Sequence, residues 1–277
     1  MLNLIRADIY RIARGKALYI TLAALLAVSI LNIVGWQSGE LGAFVILDEH
    51  GNEIRQAVIL DAYDVEIRSI EVSGVAIPLA LAQSMETFAF FILPVIVVVA
   101  GTIFSHGTVK NDIAFGISRT KLYFSKLLLS ADVCILMLLF YIGVSMIIAT
   151  IIGGFGGPAP AGHWVELIQI FSAQLLLLLA LTSIGVFLAF VTKWTSIVIA
   201  AYLAFLLVPP LVISSLSFAN ESLARLFEFD MLSNIMMLGN LPNMDTSDIL
   251  RALGLGVFYL LASTIAGVAI FRRVEIK

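Results

Sequence analysis

Residues 167–191, LIQIFSAQLLLLLALTSIGVFLAFV, run without a single charged side chain. A hydrocarbon layer about 30 Å thick is crossed by roughly 20 helical residues, so this run is long enough to span one. Inside lipid only a helix satisfies the backbone of such a segment from within itself, and the unbroken apolar character differs from the alternation of a barrel strand. Five further windows of the same kind lie at 17–36, 88–104, 127–152, 195–217 and 249–271. Composition agrees. Of 277 residues 61% are hydrophobic and 13% charged, with a mean hydropathy of +1.05. That exceeds what one water-soluble core could hide. The expected fold class is an all-α integral membrane protein with six transmembrane helices, forming a single transmembrane domain over 1–277.

The first window follows a basic lead-in, as a secretory signal would. A signal's apolar stretch is about 7–15 residues long and ends at a small-residue cleavage site. The window 17–36 is longer and closes on Gly35 and Trp36, the latter suited to a membrane interface, so it is read as a span.

Cations set the expected orientation. With the N-terminus in the cytoplasm, Arg6, Arg11, Arg14, Lys16, Lys110, Arg119, Lys121, Lys126, Lys193, Arg272, Arg273 and Lys277 fall inside. Only Arg55, Arg68, Arg225 and Arg251 fall outside, which satisfies the positive-inside rule with both termini cytoplasmic. Most acids, Asp48, Glu49, Glu53, Asp61, Asp64, Glu66 and Glu71 among them, are then external, so the net charge of −3 conceals a basic inner face. This split reflects topology and not nucleic-acid binding. The lone cysteine, Cys134, lies within the third window and has no intrachain disulfide partner.

Outside the spans, residues 1–16 place Leu2, Ile5, Ile9 and Ile12 at helical spacing, with Arg11 and Arg14 on another side. This suits an amphipathic helix in the inner interface; a plain charged anchor is the alternative. The external stretch 37–87 contains AFVILDEHGNEIRQAVIL, two β-prone runs around a turn, and predicts a hairpin or cap. His50 stands there beside Asp48, Glu49 and Glu53, but a single imidazole in a turn is no metal motif. GGFGGPAPAGHW, between the third and fourth windows, lacks the Lys-Ser or Lys-Thr of a phosphate loop and reads as a tight irregular connection. Thr192, Lys193 and Trp194 alone join the fourth and fifth windows. Residues 218–248 are apolar at Leu223, Leu226, Leu232 and Ile235 but interrupted by Arg225, Glu228 and Asp230. They are expected to be external helical material that dips into the outer leaflet.

Catalytic patterns are missing from the sequence: no HExxH or GxSxG, and histidines only at 50, 106 and 163. An ion-coupled carrier needs ionisable groups at membrane depth, and only Asp132 and Glu86 come near, each read more readily, Glu86 above all, as an interface-level carboxylate. Pro94, Pro209 and Pro210 permit kinks in their spans.

The remaining feature is 105–126, which includes HGTVKNDIAFGISRTKLYFSK. Asn111 or Asp112 is suited to capping a short helix; Ile113, Phe115 and Ile117 supply apolar contacts. Gly116 allows a close approach or a break, and Arg119, Lys121 and Lys126 offer cations. Residues alone leave two readings, a docking segment and a solvated basic loop.

The series GTVKNDIAFGISRTKLYFSKLL resembles the first cytoplasmic loop of type 2 ABC exporter permeases, with Gly107, Thr108, Lys110, Asn111, Gly116, Ser118, Arg119, Tyr123, Ser125 and Lys126 at matching positions. It departs at His106, near which many relatives carry an acid, so no role tied to that carboxylate carries over. The resemblance implies a coupling helix at 105–126 that docks on a nucleotide-binding subunit through Gly107, Thr108, Lys110, Asn111, Asp112, Ile113, Phe115, Gly116, Arg119 and Lys121. It also implies re-entrant external helices before the last span. Because no GxxxxGK[ST] occurs, ATP and Mg would belong to a partner ATPase, with no cofactor in this chain. A second permease chain, identical or related, would complete the pathway. The implied location is a bacterial plasma membrane, and the implied cargo antimicrobial or other amphipathic peptides. A secondary carrier using Asp132 and a non-transporting membrane sensor or scaffold stay open beside it.

Overall fold

The structure, a computed structural model, describes residues 2–38, 43–47, 53–54, 65–68, 72–105, 108–219 and 221–273. His50 and its acidic neighbours Asp48 and Glu49 lie outside the described residues, as do His106 and Gly107. Helices α1 (Leu2–Arg14) and α2 (Lys16–Ser38) are followed by strands β1 (Ala43–Leu47), β2 (Glu53–Ile54) and β3 (Val65–Arg68). Next come α3 (Ile77–Gln83), α4 (Glu86–Ile96), a π-helical turn at Val97–Gly101, α5 (Thr102–Ser105) and α6 (Thr108–Ala114). Then follow α7 (Arg119–Gly153), α8 (His163–Thr192) and α9 (Thr195–Ala219). A 3₁₀ segment at Glu221–Phe229, α10 (Met231–Leu238) and α11 (Thr246–Arg273) complete the order.

Among the described residues six helices are long and apolar enough to cross a membrane: Lys16–Gln37, Glu86–Phe104, Arg119–Gly153, His163–Thr192, Thr195–Ser217 and Thr246–Arg273. By length and hydropathy the chain is a multi-pass helical membrane protein. The second of these is not a uniform α-helix. Pro94 has no N–H to give, and the π-helical turn begins three residues later, the kind of local adjustment that tolerates proline in a span.

The residues group into two compact units, one of Met1–Ala23, Ala82–Leu139 and Gly162–Lys277, the other of Ala24–Leu81 and Phe140–Ala161. In the first, α8 is the central helix, the most buried of the six spans, and packs most extensively on α11. Small hydroxyls let the two approach: Ser183 Oγ lies 2.7 Å from Ser263 Oγ and 3.0 Å from Thr264 Oγ1. In lipid, where apolar contact alone gives no hydrophobic drive, such small polar contacts hold helix pairs together. The loop after α8 is two residues, Lys193 and Trp194, the first of them left-handed at φ 60° with its N–H donating to Ala189 O at 3.1 Å.

Before α11, Asp230 caps α10 by accepting from the Ser233 N–H at 2.8 Å and the Ser233 hydroxyl at 2.7 Å. Ile235 is buried, Leu223 and Leu232 half-buried, and Leu226 exposed. Arg251 ties the preceding 3₁₀ segment to α11, pairing with Glu228 at 3.1 Å and Asp248 at 2.9 Å.

In the second unit, β1 is the middle strand of a three-stranded antiparallel sheet ordered β2-β1-β3, with Ile46 opposite Ile54 and Phe44 opposite Ile67. The Gly-rich connection after α7 is irregular, with Gly154 and Gly156 in the left-handed region. It is fixed by its backbone: Gly74 N–H donates to Gly154 O and Val75 N–H to Phe155 O, both at 3.0 Å.

Candidate coupling segment

The helix α6 starts earlier than its sequence suggests. Asn111 or Asp112 was expected at the helix start, yet the helix begins at Thr108 and both residues lie in its interior. The reason is Val109, which is 2% exposed and seats the first turn in apolar packing, so the helix forms from that anchor. At the other end Phe115 N–H donates to Asn111 O at 3.0 Å and Gly116 N–H to Ile113 O at 2.9 Å. Gly116 has φ +82°, and a Cβ there would meet nothing within 4 Å. Of its two expected uses, close approach or break, the structure selects the break, a left-handed C-terminal stop that glycine adopts without steric cost.

Three residues later α7 begins. Ser118 caps it, its Oγ accepting from the Lys121 N–H at 3.4 Å and its carbonyl from the Leu122 N–H at 3.0 Å. The sequence Gly116-Ile117-Ser118 is therefore a stop followed by a start, and it projects the end of α6 away from the protein. Lys110, Asn111, Phe115, Gly116 and Lys121 are exposed, Phe115 at 87%, while Ile113 is half-buried.

Behind this tip lies a cross-linked mount. Arg119, the first residue of α7, donates from Nη1 to Phe271 O at 3.4 Å and Arg272 O at 2.9 Å. Those carbonyls belong to the last turn of α11, where helical acceptors have no partner of their own and a cation is favoured. Arg272 returns the contact, its Nε donating to Thr120 Oγ1 at 3.0 Å. Tyr123 is fully buried and donates to Ser263 O at 3.4 Å. Its ring packs on Phe190, with centroids 4.9 Å apart, and Phe190 in turn meets Phe104 at 5.3 Å and Phe271 at 4.7 Å. These edge-to-face pairs join α5, α7, α8 and α11 in one aromatic cluster.

Lys126 corrects an expectation. Read from sequence with Arg119 and Lys121 as a cation that the segment offers, it is instead 2% exposed and hydrogen-bonded to Asp8 of α1. Arg11 adds a contact to Asp8 at 3.3 Å. Asp8 escaped the sequence reading because, as the single acid in a basic lead-in, it sits at the edge of the apolar face. One signal was present: Asp8 and Ile12 are a turn apart, and both are buried.

Other polar groups stand apart from this segment. Gln174 of α8 is fully buried and donates from Nε2 to Ala82 O at 2.6 Å and Ile235 O at 3.0 Å, joining the end of α3 to α10. Asn234 donates to Glu228 O at 2.9 Å and Asp230 O at 2.7 Å. Asp132 is exposed on α7, whereas Glu86 begins α4 with one carboxylate oxygen buried.

What the segment can do is mechanical. An exposed aromatic just past a short helix is joined through three residues, Gly116, Ile117 and Ser118, to the first residue of a long span, and that residue is clasped to the last turn of another. A load applied at Phe115 therefore reaches α7 and α11 together. No family model matches this chain, and no curated protein matches it.

Proposed function

We propose that the chain is the membrane-spanning permease subunit of an ATP-driven ABC exporter, with α6 as the element that receives work from a separate ATPase. The observation that carries this reading is Phe115, 87% exposed at the end of a helix mounted on two spans. Large exposed aromatics flanked by cations are the residue type that anchors protein interfaces, and here Lys110 and Lys121 flank it. The resemblance of GTVKNDIAFGISRTKLYFSKLL to the coupling loop of type 2 exporter permeases supports the same assignment, as does the lack of a phosphate-binding GxxxxGK[ST] motif in the sequence.

On this reading both termini and α6 face the cytoplasm, and 218–248 is a re-entrant external segment. A second permease chain, the same or related, lines the pathway, and ATP with Mg binds the partner. ATP shifts the paired permeases between two exposures only to the extent that it favours one of them. By resemblance the cargo is an antimicrobial or other amphipathic peptide and the site a bacterial plasma membrane. The alternative reading is a secondary carrier working through Asp132, which is exposed on α7 of the single chain. The test is purification from the native host in mild detergent. An ATPase with Walker motifs should travel with the wild-type chain and be lost from Phe115→Asp; a wild-type chain that purifies without any ATPase contradicts the proposal.

A further inference from the structure

We propose that α1 is a docking surface for anionic phospholipid headgroups, set in orientation by the buried Asp8–Lys126 pair. Residues 2–16 carry Arg6, Arg11, Arg14 and Lys16 against one acid, Asp8. Asp8 is 7% exposed and its charge is answered internally by Lys126, with Arg11 at 3.3 Å on the same helix. All four cations of this stretch are exposed, so α1 and the start of α2 present charge of one sign outward.

Apolar and aromatic side chains share that outward surface. Ile9 is 51% and Tyr10 58% exposed, followed at the start of α2 by Tyr19 at 59% and Ile20 at 66%. The Arg14 guanidinium lies over the Tyr10 ring, 4.6 Å from its centroid. An aromatic with a cation on its face is suited to the boundary between acyl chains and headgroups, where the ring stays in the apolar layer and the charge in the polar one.

Orientation is built in at two points. Asp8 and Ile12, one turn apart, face the protein, which fixes the roll of α1 and turns Ile9 and Tyr10 away from it. At the elbow Gly15 N–H donates to Ile12 O at 3.0 Å, and the Tyr19 hydroxyl donates to Ala13 O at 2.8 Å, so α2 itself holds the end of α1. A basic amphipathic helix continuous with a span meets anionic lipid by juxtaposition, and each cation near the surface adds affinity. The inference is independent of the exporter reading.

The test uses the full chain in bilayers of phosphatidylcholine and phosphatidylglycerol mixed equally, extracted in mild detergent, with retained lipid counted by native mass spectrometry. Wild type should retain phosphatidylglycerol over phosphatidylcholine, and rising salt should weaken that preference. The variant Arg6→Gln/Arg14→Gln/Lys16→Gln leaves Arg11 with Asp8 and should reduce the preference on the order of tenfold. Arg6→Lys/Arg14→Lys should keep it. Equal retention of the two lipids by wild type, a preference indifferent to salt, or a preference unchanged in the triple glutamine variant would overturn the proposal. So would a triple variant that keeps its lipid but sheds a bound acidic protein.

Discussion

Arg119 and Arg272 hold each other's helix ends: the Arg119 guanidinium donates to the Arg272 carbonyl at 2.9 Å, while Arg272 Nε reaches Thr120 Oγ1 at 3.0 Å. The contact joins the start of α7 to the end of α11 directly behind the exposed tip of α6. Hydrogen bonds to charged groups contribute about 1.5–3 kcal/mol, and at this partly exposed end the lower part of that range applies. Arg119→Ala should lower the melting temperature of the detergent-solubilised chain modestly and speed amide exchange at 268–273. Unchanged exchange there would remove the clasp from the account.

The Asp8–Lys126 pair predicts a stronger effect with a partial rescue. Removing one partner of a buried ion pair leaves an uncompensated charge and costs about 3–5 kcal/mol. Lys126→Met leaves Asp8 with Arg11 at 3.3 Å and should therefore destabilise the chain by less than that full cost in denaturant titrations, whereas Asp8→Asn with Lys126→Met should recover most of the loss. A double variant as unstable as the single one would mean that the two residues do not act as a pair.

Gly267 faces the ring of Tyr123. A Cβ at 267 would lie 2.3 Å from Tyr123 Oη and 2.6 Å from both Cε2 and Cζ. Overpacking of this kind costs about 1–3 kcal/mol, so Gly267→Ala should lower thermal stability. Tyr123→Phe should not relieve it, because the ring carbons remain in place; a full rescue by Phe would show that the hydroxyl alone is crowded.

Gln174→Leu should loosen α10 selectively. The substitution removes the donors to Ala82 O and Ile235 O, and each buried group left unpaired costs about 1–3 kcal/mol. Amide exchange should rise across 231–238 and stay constant in α6. Equal rises in both segments would indicate a global loss of stability.

These residues also mark what was legible in the sequence. Spans are read from a local property, about 20 apolar positions in a row, and 195–217 appears in the structure with the same bounds. The third span begins at Arg119, eight residues before the apolar run at Leu127, since the Ser118 cap and the Lys126 pair carry the helix through polar sequence. No hydropathy window registers that. Asp8 and Lys126 are 118 positions apart, and Gln174 and Ala82 are 92 apart, so their partnerships exist only after packing. The tip was half legible. Its charges and Phe115 stood out in the sequence, but the allotment of Gly116 and Ser118 to the turn, and of Arg119 and Lys126 to the mount, did not.

The most direct measurement of the central claim is affinity between the purified chain and any ATPase that copurifies with it from its native host, compared for wild type and Phe115→Ala. Phe115 is 87% exposed, so its removal should leave the melting temperature unchanged, whereas loss of an interface anchor costs about 2 kcal/mol or more. The account predicts a drop in ATPase affinity on the order of 30-fold with fold stability intact. Unchanged affinity for a copurifying ATPase would contradict the assignment of α6, and a wild-type chain that recruits no ATPase would contradict the exporter reading itself.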